Sequence, residues 1–190
     1  MNSTLITGFG GLILGVLIGI VAAPTLIGPV GFSMMGPGSM MGTSRNIDRH
    51  FIDQMIPHHE GAIAMAELAL ERSARAEVRS LANDIVAAQT KEIEDMQAWY
   101  QEWFNATPSS AGHGMMQMQG MEGDLDALNA TADFDREFLS QMIVHHEMAV
   151  MMARMLEAGT ERPEMQQLAK NVIASQTQEI EMMRGWLVNW

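Results

Sequence analysis

The chain has 190 residues, a net charge of −12, 20 methionines, 6 histidines and no cysteine. The lack of cysteine excludes disulfides, thiolate metal sites and cysteine nucleophiles. The acidic charge argues against a nucleic-acid partner, because phosphate binding needs clustered Lys and Arg.

The N-terminal segment, residues 1–27, is predicted to cross a membrane. It carries no charged residue from Leu5 to Ile27, and about 20 apolar residues suffice to span a bilayer. Because no Lys or Arg precedes this stretch, and because it is long for the core of a signal peptide, we predict an uncleaved signal anchor. A cleaved signal peptide is the alternative.

Two methionine-rich stretches, residues 28–45 and 105–132, are predicted to be a flexible linker and a loop, since glycine recurs every few residues in both. Methionine normally fills cores, but no core forms in such segments, and a thioether is a soft ligand that suits Cu(I). The alternative is that these methionines are incidental. The loop metal candidates are Met34, Met35, Met40, Met41, His113, Met115, Met116, Met118 and Met121.

Residues 46–190 contain an internal repeat. Residues 49–103 align without a gap with residues 136–190 at a constant offset of about 87. Apolar residues recur at helical spacing in both halves. Repeat one (46–104) and repeat two (133–190) therefore each predict a helical hairpin, and two hairpins of equal length predict an antiparallel four-helix bundle. The predicted helices cover about 46–72, 74–104, 133–158 and 161–189.

Each repeat carries two adjacent histidines inside an apolar seam. The segments QMIPHHEGAIAMA and QMIVHHEMAVMMA correspond between the repeats. His58 and His59 fall on apolar stripes of three-four spacing, as do His145 and His146. Burying an imidazole costs free energy unless the ring gains partners. Two matched pairs therefore predict metal binding, with a purely structural buried network as the alternative.

Methionines near the histidines suggest which metal binds. Met55 lies three residues before His58, so both side chains can reach one ion, and imidazole with thioether favours copper over zinc, calcium or magnesium. We predict Cu(I) as the preferred ion and Ag(I) as its surrogate. The predicted metal residues are Met55, His58, His59, Met65, Met142, His145, His146, Met148 and Met152.

Polar residues of the returning helices are predicted to orient these imidazoles. Counting back from each hairpin turn places four of them level with the histidine pairs, where they would accept a ring N–H. They are Gln89, Glu92, Gln176 and Glu179.

At these motifs the chain resembles the bacterial family called domain of unknown function 305, and within it the exported copper-binding members of the CopM type. MIPHHEGAIAMA and MIVHHEMAVMMA, followed by AAQTKEIEDM and ASQTQEIEMM, carry the resemblance, which covers about residues 46–190. It implies a ferritin-like bundle and an extracytoplasmic protein that binds copper in metal homeostasis or resistance.

These observations predict a copper-binding protein rather than an enzyme, since no Glu-x-x-His di-iron motif or zinc-protease motif occurs. We expect a bacterial inner-membrane protein with its bundle in the periplasm, or a secreted one if the N-terminal segment is cleaved. The expected partners are metal ions and the membrane. A homo-oligomer is a further possibility that the sequence does not decide. The alternatives are an oxidoreductase using copper or iron, and a metal-free interaction bundle.

Overall fold

The computed structural model describes residues 41–109 and 123–190, with side chains from Ile47 onward. The described chain is all-helical, as predicted, and contains no strand. Its helices are α1 (Met41–Arg72), α2 (Ala76–Phe104), α3 (Leu125–Ala130), α4 (Phe134–Gly159) and α5 (Pro163–Asn189). None of these helices is long and apolar enough to cross a membrane. The signal anchor predicted at residues 1–27 lies outside the described residues.

The helices differ from the predictions in two main respects. α1 begins at Met41 rather than near residue 46; the single Gly42 costs only about 1 kcal/mol inside a helix, which a helix of this length can offset. The predicted loop at 105–132 contains α3, which is too short for periodicity to reveal. The side chain of Asp124 caps α3 by accepting the backbone N–H of Ala127 at 2.9 Å, and Leu128 is fully buried.

The two hairpin turns use the same local device. The hydroxyl of Ser73 accepts the backbone N–H of Arg75, and the hydroxyl of Thr160 accepts the backbone N–H of Arg162, each at 3.1 Å. Both hydroxyl residues are buried. Pro163 occupies the first turn of α5, where its missing N–H is not needed. Each turn folds the second helix of its repeat back against the first.

The hairpins meet through α1 and α4, which pack against each other as well as against α2 and α5 respectively. The two helices run antiparallel, because the start of α1 lies against the end of α4. A Cβ at Gly159 would lie 2.6 Å from Cδ1 of Ile47, so a larger residue at this position would require the Ile47 side chain to shift. The middle of α1 is therefore level with the middle of α4.

An arginine from each turn links its own repeat to the other one. Arg162 Nε lies 3.2 Å from Asp48 Oδ2, and Arg75 Nε lies 3.3 Å from Asp135 Oδ2. Each guanidinium also lies 4.0 Å from the ring centre of a tryptophan of the other repeat, Trp103 for Arg162 and Trp190 for Arg75. Matching contacts on both sides relate the two repeats by an approximate twofold axis.

Candidate metal centre

Four histidine rings meet between α1 and α4. His58 and His59 on α1, and His145 and His146 on α4, are each at most 1% exposed. The ring centres of His58 and His145 are 3.6 Å apart and the rings are tilted by 41°. Within each pair the ring centres are 6.2 Å apart. The structure thus brings both pairs into one cluster, which we call the histidine cluster.

A carboxylate holds the outer ring of each pair. His59 Nε2 donates to Glu92 Oε2, and His146 Nε2 donates to Glu179 Oε2, both at 2.6 Å. The predicted position of both glutamates beside the histidine pairs is therefore confirmed. An ionised carboxylate only accepts hydrogen bonds, so in the neutral form of each ring, which is the form that ligates metals, the proton lies on Nε2. The Nδ1 atom of each ring then keeps its lone pair.

The nitrogen atoms left by this arrangement suit a metal ion. Nδ1 of His59 and Nδ1 of His146 are buried and have no hydrogen-bond partner within the described part of the chain. Burial lowers the pKa of His58, and the nearby His145 lowers it further. His58 is therefore neutral at pH 7, which is the form that ligates metals.

Methionines of one repeat share hydrophobic clusters with methionines of the other repeat. Met55 shares a hydrophobic cluster with the half-buried Met152 of repeat two, whereas Met142 shares the other with Met65 of repeat one. Met148 is half-buried on α4. Two further methionines at the repeat offset, fully buried on α2 and α5, were missed in the sequence because they read as ordinary core positions; they are Met96 and Met183.

The remaining polar residues near the histidines differ in burial. Gln89 and Gln176 are buried, and their Oε1 atoms meet no hydrogen-bond partner among the residues described. Glu60 and Glu147 are exposed despite following the histidines in sequence. No group of three or more His, Cys, Asp or Glu side chains in residues 47–109 and 123–190 is arranged to hold a metal ion. The loop candidates of residues 34–41 and 113–121 lie outside the described side chains.

The sequence and the fold are both similar to those of known proteins. The family model described as "Domain of unknown function (DUF305)" matches residues 48–187. The chain is 49% identical to "CopM in the Cu(II)-bound form", with a TM-score of 0.71, over 75% of this chain and 97% of that chain. For "CopM in the Cu(I)-bound form" the identity is 46% and the TM-score 0.69, over 75% and 96%.

More distant relatives are similar as well. A DUF305 fragment from Deinococcus radiodurans is 32% identical, with a TM-score of 0.62, over 76% of this chain and 97% of that chain. An uncharacterised protein of Acanthamoeba polyphaga mimivirus is 40% identical over 53 residues, which is 28% of this chain and 35% of the viral protein. This chain therefore aligns with only about a third of the viral protein's length.

Proposed function

Because the chain belongs to the DUF305 family and is similar in sequence and fold to copper-bound CopM, we propose that it binds copper as cargo, with Cu(I) preferred and Ag(I) as its surrogate. The observation that carries this proposal is the pair of carboxylate-bound rings. Nδ1 of His59 and Nδ1 of His146 are buried without hydrogen-bond partners among the described residues. Metal-ligating histidines are typically held in this way, by a carboxylate on the opposite nitrogen.

The donor chemistry supports copper over other metals. Neutral imidazoles and thioethers are softer ligands than the carboxylates and carbonyls that calcium and magnesium require. In this proposal the ordered copper site is formed by residues of α1 and α4, while Glu92 and Glu179 fix the ring orientation. The copper ligands are drawn from Met55, His58, His59, Met65, Met142, His145, His146, Met148 and Met152.

The proposed function also includes the scaffold, its location and the methionine-rich segments. The scaffold is a ferritin-like four-helix bundle that serves copper homeostasis or resistance outside the cytoplasm, held at the membrane by residues 1–27. The methionines of residues 34–41 and 115–121 exchange ions with the ordered site. Methionine suits an oxidising compartment because its sulfoxide is reversibly reduced, whereas thiols are lost to disulfides and higher oxides. The protein acts as a binding protein and not as an enzyme.

Metal analysis and a Cu(I) competition titration against a chromophoric chelator test the proposal. We expect the purified protein to withdraw Cu(I) from the chelator, and His59→Leu combined with His146→Leu to lose the tight binding while retaining its helical circular dichroism. His50→Leu is the matched control, because His50 lies on α1 but is exposed. Wild-type protein that leaves the chelator fully loaded would refute the proposal, as would a double variant that competes as well as wild type.

A further inference from the structure

The outer face of α4 carries a row of methionines. Met148, Met151 and Met155 follow a spacing of three and four residues on this helix. Met151 is 47% exposed and Met155 63% exposed, and Met148 is half-buried. Residues three and four apart are neighbours on a helix surface, with Cβ atoms about 5–6 Å apart. Met148 with Met151, and Met151 with Met155, can therefore each reach one ion, and we call the three residues the α4 methionine row.

Core packing does not account for this row. The equivalent positions of repeat one are Gly61, Ala64 and Leu68, which are buried or half-buried and carry no sulfur. At the corresponding positions of repeat two, the side chains of Met151 and Met155 are exposed. The repeats thus differ by sulfur at the positions where solvent reaches the helix.

The charges around the row favour a soft ion over a hard one. An open depression beside Met151 and Met155 is also bordered by Glu147 and Arg154. Glu147 forms an ion pair with Arg184, and Arg154 repels cations. Calcium and magnesium need several oxygen ligands, which this face does not offer. Neutral thioethers bind Cu(I) and Ag(I) through polarisable sulfur.

We propose that Met148, Met151 and Met155 form a surface site for a soft monovalent ion, Cu(I) or Ag(I), through which ions approach the histidine cluster. This inference rests on the proposed function. Met148 follows His145 by three residues, so the row begins one turn from the cluster. Met155 lies about 15 Å from His145 along the axis, at a rise of 1.5 Å per residue. Sulfur is therefore available at successive turns from the exposed end of α4 to the buried rings.

Substitution by leucine separates sulfur chemistry from apolar contact. Met151→Leu with Met155→Leu keeps the apolar volume of the row but removes two thioethers. We expect this variant to bind one Ag(I) ion fewer than wild type in an equilibrium titration, with an unchanged melting temperature. Met182→Leu is the matched control, because Met182 is 38% exposed on α5 and has no methionine three or four residues away.

Methyl NMR reports directly on the same site. With ¹³C-methyl-labelled methionine, we expect Ag(I) to shift the resonances of Met151 and Met155 in wild type and also in the variant His59→Leu with His146→Leu. Shifts that are absent, or an Ag(I) stoichiometry equal to wild type in the Met151→Leu, Met155→Leu protein, would overturn the surface site while leaving the histidine site standing. Wild-type protein that binds neither Ag(I) nor Cu(I) would overturn the proposed function and this inference together.

Discussion

At the scale of single residues, the carboxylates of Glu92 and Glu179 decide which nitrogen of each outer ring carries the proton. Each accepts from Nε2 at 2.6 Å, and the opposite nitrogen is left as a buried lone pair. Leaving a buried polar atom without a hydrogen-bond partner costs free energy. A ligand that binds these two nitrogens would recover that free energy. The same arrangement pre-orients both rings before an ion arrives.

We expect Glu92→Gln combined with Glu179→Gln to weaken Cu(I) binding roughly 10- to 100-fold, as loss of a group that orients a ligating histidine typically does. A glutamine amide can donate as well as accept, so the tautomer of the ring is no longer fixed. Competition titration measures the affinity. Glu94→Gln, which removes an exposed charge from the same helix, should bind as wild type. Equal affinity in all three proteins would show that tautomer control does not contribute.

The pH dependence of the copper-free protein follows from His58. Burial, with His145 nearby, lowers its pKa below the usual 6.5. The unfolded chain therefore binds this proton more readily than the folded chain, so the free energy of unfolding falls as pH drops below about 6.5. One such group gives a slope of up to about 1.4 kcal/mol per pH unit.

Urea denaturation between pH 7.5 and pH 5 measures this slope. We expect His58→Leu to flatten it and to raise the free energy of unfolding at pH 7 by on the order of 1 kcal/mol, because leucine suits the apolar seam better than a buried imidazole. His50→Leu, at an exposed position, should keep the wild-type slope. Identical slopes in wild type and His58→Leu would mean that His58 does not titrate in this way.

At the scale of secondary-structure elements, the hairpins are joined by their turns. Asp48 on α1 is 1% exposed, and its ion-pair partner Arg162 belongs to the turn before α5. Burial raises the pKa of the Asp48 carboxyl, so its charge depends on the neighbouring guanidinium. The ring of Trp103 covers the same guanidinium. A contact at the turn therefore holds one repeat against the first helix of the other.

We expect Arg162→Gln to lower the free energy of unfolding by about 1–3 kcal/mol, the cost of leaving a buried polar group without its partner. Arg136→Gln serves as control, because its ion pair with Asp133 is solvent-exposed and such pairs contribute at most about 1 kcal/mol. Chemical denaturation of both variants compares them. Equal losses would indicate that the link between the repeats is no stronger than a surface ion pair.

At the scale of the whole molecule, the two repeats share one cluster instead of holding a site each. The ring centres of His58 and His145 lie 3.6 Å apart, and methionines of one repeat share hydrophobic clusters with those of the other. In the proposed function, copper bound in this region would contact groups of both repeats. Removing the histidines of either repeat should affect ligands contributed by the other.

We expect His58→Leu with His59→Leu to lose more than half of the tightly bound copper, and His145→Leu with His146→Leu to do the same. Two independent sites would instead lose half in each variant and all of it when the four changes are combined. Metal analysis after gel filtration gives the stoichiometry, and circular dichroism confirms that each variant remains helical. A loss of half in each variant would contradict a shared cluster.

The sequence by itself determined the local features of this protein. Three-four spacing placed all four histidines on buried stripes and left Glu60 exposed, because helix periodicity alone decides which face a residue occupies. Counting around each turn placed Glu92 and Glu179 beside the rings, because hairpin helices advance by the same rise per residue. The short helix α3 was not predicted, since six residues are too few to show a helical period.

Only the tertiary structure decided how the repeats meet. The constant offset of 87 says that two halves are alike, but not which surfaces face each other. The packing of α1 against α4 brings the ring centres of His58 and His145 to 3.6 Å from each other. The proximity of Ile47 to Gly159 shows that the two helices run antiparallel. Periodicity is a property of neighbouring residues, whereas the pairing of helices depends on contacts between residues about 100 positions apart, which no local pattern records.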